Sequence, residues 1–232
     1  MNYTPRTIAL LSEILHDPLP SDPSAVQKVH NNMFEGGNPD YSSFAVVPGG
    51  AVLSNPGTRP GEVSQVSFLP DRFQFREELG HQTYDAFATR IKRIAASVAE
   101  LRGISRFTAQ SVIVRTLVNP RSFKDSRNYL KNGMFGFGEK MNVFEQAPQL
   151  LGLRMVFPPT TESPNAFSLR IESFNNDVRS LYIESQATFG AVEVSDVSNG
   201  LDALEGNVHE TYRFVMERGL PFVNEFDVRQ ES

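Results

Sequence analysis

Six residues in one short stretch have types and spacing that could do chemistry. Arg121, Phe123, Lys124, Arg127, Tyr129 and Lys131 interleave cations with aromatic rings, a pattern that can neutralise phosphates while stacking exposed planar groups. Just downstream, Phe135, Phe137 and Phe144 lie around Gly133, Gly136 and Gly138. Large apolar rings in an irregular segment suit anchors for a protein partner, and they equally suit ordinary packing beneath a solvated charged surface. The glycines lack the first tight turn of a dinucleotide fingerprint, and they do not clearly follow a strand and open a helix, so the expectation there is a connection or close backbone packing.

The other reactive side chains are scattered. The four histidines are His16, His30, His81 and His209. Glu205 stands one helical turn from His209 and Glu210 beside it, but no third ligand or poised nucleophile accompanies them. His81, near Glu77 and Glu78, stands no better. No catalytic residue and no metal ligand set is assigned, and no cofactor is expected. The chain has no Cys, which excludes a disulfide scaffold, a thiol nucleophile, thiolate zinc sites and cysteine-held clusters.

Charge is unevenly spread. The formal net charge is −5, which does not favour a general polyanion binder, yet residues 90–131 hold ten basic residues against Glu100 and Asp125, a balance of +8. Residues 172–232 hold twelve acids and four Arg, a balance of −8. Opposite blocks of this kind can guide one copy of a chain onto another. No segment approaches the roughly 20 apolar residues of a membrane-spanning helix, and the N-terminal stretch lacks a signal-peptide pattern, so a soluble, cytoplasmic protein without a membrane partner is expected.

The elements that must hold these residues can be read from periodicity. Thr4 and Pro5 read as the cap and first turn of a short helix over residues 5–15, and Asp22 and Pro23 open a second. The Gly- and Pro-rich residues 36–62 predict edge strands and turns. Val66, Phe68, Phe73 and Phe75 alternate on either side of a break at 69–71, predicting two strand pieces. Residues 84–101 predict the clearest helix: Phe87, Ile91, Ile94, Val98 and their neighbours share a face that Arg90, Lys92 and Arg93 avoid, and Gly103 stops it. Residues 107–119 turn to strand chemistry before Pro120. Residues 121–149 break the pattern as a long connection or insertion. Phe167, Leu169, Ile171 and Ser173 alternate as a half-buried strand, Asn175, Asn176 and Asp177 form a turn, and 178–189 return as its hairpin partner. A last helix begins near Ser198 or Asn199, carries Leu201, Leu204, Val208, Tyr212 and Val215 on one side and ends at Gly219, with residues 219–228 docking and 229–232 fraying.

The fold class is therefore α+β, with a predominantly antiparallel sheet or sheets and packed helices. The spacing suits one compact domain over 1–232 and equally suits two pseudo-duplicated halves, 1–120 and 150–228, joined by the 121–149 insertion. The function expected first is non-enzymatic: an interaction or structural protein that forms a homo-oligomer, or binds another protein, through charged surfaces and the Phe-rich loop. Nucleic acid or another polyanion on the basic span is one alternative, and an enzyme with an unidentified pocket is another.

Overall fold

A computed structural model of the chain describes residues 3–37, 39–80, 82–194 and 200–228. Among them, ten strands form one antiparallel sheet in which β1 (Arg6–His16) and β6 (Arg106–Val118) lie side by side at the centre. On one side of this pair come β5 (Arg72–Glu78), β4 (Val63–Phe68), β3 (Gly50–Asn55) and the edge strand β2 (Ser43–Val47). On the other come β9 (Leu181–Phe189), β8 (Ala166–Ser173) and the edge strand β7 (Gly152–Phe157), while the two-residue β10 (Val192–Glu193) pairs with β6. In both directions the strand beside the central pair is the last of its meander, and a long helix follows it in the chain. Every strand pairing among the described residues is antiparallel, which fits the expected α+β class.

The helices cover one face. They are α1 (Pro23–Glu35), α2 (Tyr84–Arg102), α4 (Gly200–Phe214) and α5 (Leu220–Glu225), with the single turn α3 (Ser126–Asn128) in the 121–149 connection. Asp22 caps α1 by accepting from Ala25 N at 3.1 Å, and Thr83 caps α2 by accepting from Ala86 N at 3.2 Å. Gly103 takes the left-handed conformation at φ 65° that ends α2. Ile14, Phe73, Phe75, Phe87, Ile91, Val112, Val114, Ile171 and Ile183 form one continuous core with Leu204 and Val208 of α4. A buried polar link sets α4 on the sheet: the Gln110 amide donates to Ser12 Oγ at 3.0 Å and to Leu204 O at 3.2 Å, and receives a bond from Asn207 at 2.8 Å.

Two local expectations change. Residues 6–16 are the central strand β1 rather than a helix. Leu10, Ser12, Ile14 and His16 alternate into the core, and the backbone bonds to β5 on one edge and β6 on the other. A strand with apolar residues on both faces has no clean alternation, so its spacing matched a helix equally well. Gly219 does not stop the last helix. It is helical, at φ −64°, and the chain passes from α4 through a π-helical turn at Val215–Gly219 into α5. Pro221 cannot donate to the preceding turn, so a widened turn there costs no hydrogen bond, and a Cβ at Gly219 would approach Leu169 of β8 at 3.4 Å. Arg90, off the apolar face of α2, pairs with Glu77 and Asp40 over the Tyr41 ring, in a cluster whose three charged side chains are 11%, 5% and 8% exposed. The helix start near Ser198 or Asn199, the fraying of residues 229–232 and His81 lie outside the described residues. No helix among those described is long and apolar enough to cross a membrane.

Candidate interaction site

The connection between β6 and β7 starts from a fixed point. Past Pro120, the backbone N–H groups of Arg121 and Ser122 donate to the two oxygens of Asp227, each at 2.8 Å, and the Tyr3 hydroxyl donates to the same carboxylate at 2.6 Å. Burial alone would raise the Asp227 pKa; these hydrogen bonds outweigh it and hold the carboxyl below its usual range. One side chain thus joins the start of β1, the end of β6 and the residues after α5. Next, Asp125 caps α3 by accepting from Asn128 N at 2.7 Å, and Ser126 donates through both N and Oγ to Val178 O in the β8–β9 turn, each at 2.9 Å.

A π-helical turn follows at Tyr129–Met134. The Tyr129 hydroxyl donates to Val223 O of α5 at 2.6 Å, and its ring meets Phe123 edge to face at 5.5 Å. Gly133 is required here, since a Cβ would stand 2.7 Å from the Phe123 ring and 3.0 Å from Phe226 O. Beyond Phe135 the segment leaves the core. Phe135 and Phe137 stack at 5.0 Å, and Gly136 and Gly138 both adopt positive φ. A 3-10 helix at Gly138–Phe144 then carries the chain across the surface.

This segment is where apolar side chains face solvent. Val143 is 77% exposed, Phe144 65%, Leu150 50% and Phe137 38%. Beside them lies an open cavity of about 590 Å³ lined by Arg127, Asn128, Lys131, Met141, Glu145 and Leu151, among others. A second cavity, of about 530 Å³, lies across α3 and the β8–β9 turn; Arg121 and Phe123 line it with Arg6 and Arg179.

The nine residues singled out by sequence therefore occupy different environments. Arg127 and Lys131 come together in the first cavity, Arg121 and Phe123 in the second, and Lys124 is exposed. Phe137 and Phe144 reach solvent, whereas Phe135 is partly buried against the core. Tyr129 is fully buried, so its ring cannot stack on an external group. Arg6, Arg179 and Asp227 were missed because they enter from other parts of the chain, and only the tertiary structure shows them to lie near Arg121. Val143 and Leu150 could have been noticed as isolated apolar residues in a non-periodic stretch.

The two charged blocks partly meet within the molecule. Lys92 of α2 pairs with Asp202 and Glu205 of α4, Arg106 with Glu193 at 3.1 Å, and Arg115 with Glu184 at 2.7 Å. Lys124, Arg127 and Lys131 make no ion pair among the described residues. His209 stands 3.3 Å from Asp85 and edge-on to Tyr84, and among the described residues no group of three His, Asp or Glu is placed to hold a metal ion. No protein-family model matches this chain, and no curated protein does.

Proposed function

We propose that this chain is a non-enzymatic cytoplasmic protein that self-associates, with residues 135–150 as the contact element and Lys124, Arg127 and Lys131 as its charged border. The observation that carries this reading is the concentration of exposed Phe137, Val143, Phe144 and Leu150 in one segment whose start is held in the core by Tyr129 and Asp227 and whose end enters β7. Exposed apolar side chains gathered on an ordered support are what an interface needs, because the support has already met the ordering cost that would oppose binding.

A second copy is the partner that charge favours. Residues 121–131 carry four cations and one acid, +3, so the remainder of a chain with net charge −5 carries −8. Each copy can place its basic element against the acidic remainder of the other, and a reciprocal arrangement closes into a dimer. The edge of β7 adds to the argument: it begins two residues after Leu150, pairs only with β8 among the described strands, and carries exposed Val156 and Phe157.

Sedimentation velocity across a concentration series tests the proposal at about 50 and about 500 mM ionic strength. The wild type should associate, and more weakly at the higher salt. Val143→Ser with Phe144→Ser should raise the dissociation constant about thirtyfold, the equivalent of about 2 kcal/mol of lost apolar burial, with the fold retained. A wild type that stays monomeric at about 100 μM, where a contact of micromolar strength would be occupied, refutes the reading. So does an oligomer that neither salt nor the double substitution alters.

A further inference from the structure

We propose that the cleft between the start of β1, the end of β6 and the β8–β9 turn is a binding site for a small phosphate ester. Arg6, Arg121 and Arg179 come from three distant parts of the chain and line one cavity of about 530 Å³. The central strand pairing brings the first two together, since Arg6 lies opposite Leu117 and the chain reaches Arg121 just beyond the end of β6. Arg179 is brought in by the β8–β9 turn. Arg121 is held with its guanidinium 5.7 Å above the Tyr3 ring.

Arg6 and Arg179 make no ion pair among the described residues. The one carboxylate in the lining, Asp177, is bound up in its own turn, accepting from Arg179 N at 3.1 Å and from the Ser180 hydroxyl at 2.7 Å. Asp227, next to the cleft, is likewise occupied by Tyr3 and by the backbone of Arg121 and Ser122. The lining thus holds three Arg side chains and one carboxylate.

The ligand class follows from the lining. Guanidinium groups pair in forked geometry with tetrahedral oxyanions, and several lining one cavity favour a doubly charged group over a singly charged carboxylate. Thr4 and Asn119 add uncharged polar groups at the rim. The volume exceeds what inorganic phosphate fills, and Tyr3 and Phe123 offer apolar walls to the organic part of an ester.

The full chain should be titrated calorimetrically with inorganic phosphate, phenyl phosphate, acetate and a mixed-sequence DNA 20-mer at matched ionic strength. The expected result is binding of both phosphates, phenyl phosphate the tighter, with acetate at least about tenfold weaker. Arg6→Gln with Arg179→Gln should weaken phenyl phosphate at least about tenfold, and because both side chains are exposed and unpaired, the melting temperature in chloride should stay within about 2 °C of wild type. Phosphate and acetate binding alike, or a double variant that binds like the wild type, overturns the assignment. Binding of the oligonucleotide alone, lost on neutralising Lys124, Arg127 and Lys131 rather than Arg6 and Arg179, overturns it in favour of a polyanion surface.

Discussion

Residues 90–115 and residues 121–131 are consecutive parts of one basic stretch, yet the fold uses their charges in opposite ways. In the first part, Arg90 and Arg93 pair with Asp40, Arg90 also with Glu77, Lys92 with Asp202, Arg106 with Glu193 and Arg115 with Glu184. These residues sit on a helix and a strand that other elements pack against, and five of the six cations meet an acid brought in by the tertiary structure, while Arg102 donates to Pro20 O. In the second part the chain runs along the rim of the sheet, and Lys124, Arg127 and Lys131 meet none. A run of charge in a sequence is therefore ambiguous: the same density serves as internal stitching where elements pack and as an outward surface where they do not.

The sharpest test of that contrast is Arg90→Met. It leaves Glu77 and Asp40 buried without their shared partner, and a loss of about 3–5 kcal/mol is expected in urea unfolding at neutral pH. Glu77→Gln in the same background should recover part of it, and a loss below about 1 kcal/mol would break the comparison at its strong end.

Asp227→Asn comes next, at about 1–3 kcal/mol, because the amide nitrogen cannot accept the bonds that one carboxylate oxygen takes from Tyr3 and Arg121 N. The Asp227 carboxyl is held below its unfolded range, so its stabilisation is complete above the unfolded value of about 4 and disappears as pH falls through the lower folded value. The gap between wild type and variant should accordingly narrow in acid; a gap independent of pH from about 7 to about 2 would show that charge plays no part.

Smallest is the joint replacement of Lys124, Arg127 and Lys131 by Gln. Stability should change by no more than about 0.5 kcal/mol, while the salt dependence of self-association falls. A loss above about 2 kcal/mol in the same unfolding measurement would place these cations with the stitched group and erase the distinction.

What was legible beforehand follows the same division. The α2 helix was readable because Phe87, Ile91, Ile94 and Val98 repeat on one face and Gly103 closes it, and the β8–β9 hairpin because Phe167, Leu169, Ile171 and Ser173 alternate. Half-buried elements carry their own period. Strand β1 does not: its buried face includes the polar Ser12 and His16 and its half-buried face carries Leu11 and Leu15, so its apolar residues lose the alternation that would have identified it. Gly219 misled because a glycine at the end of a periodic run reads as a stop, whereas here it is helical and the chain continues into α5. At the candidate site, Phe137, Phe144, Arg127 and Lys131 were visible as an irregular, charged and aromatic cluster, but Tyr129 in the same cluster is a core residue bound to Val223.

The sequence by itself determined the antiparallel α+β character, the helix over residues 84–101, the interruption over 121–149 and the exclusion of thiol chemistry, because these depend on local period, turn residues and composition. Only the tertiary structure decided which cations face outward, which of the 18 Phe residues are core, and that Arg6, Arg121 and Arg179 share one cleft. Those outcomes depend on contacts between residues more than 100 positions apart, such as Tyr3 with Asp227, and tertiary packing, not local pattern, creates such contacts.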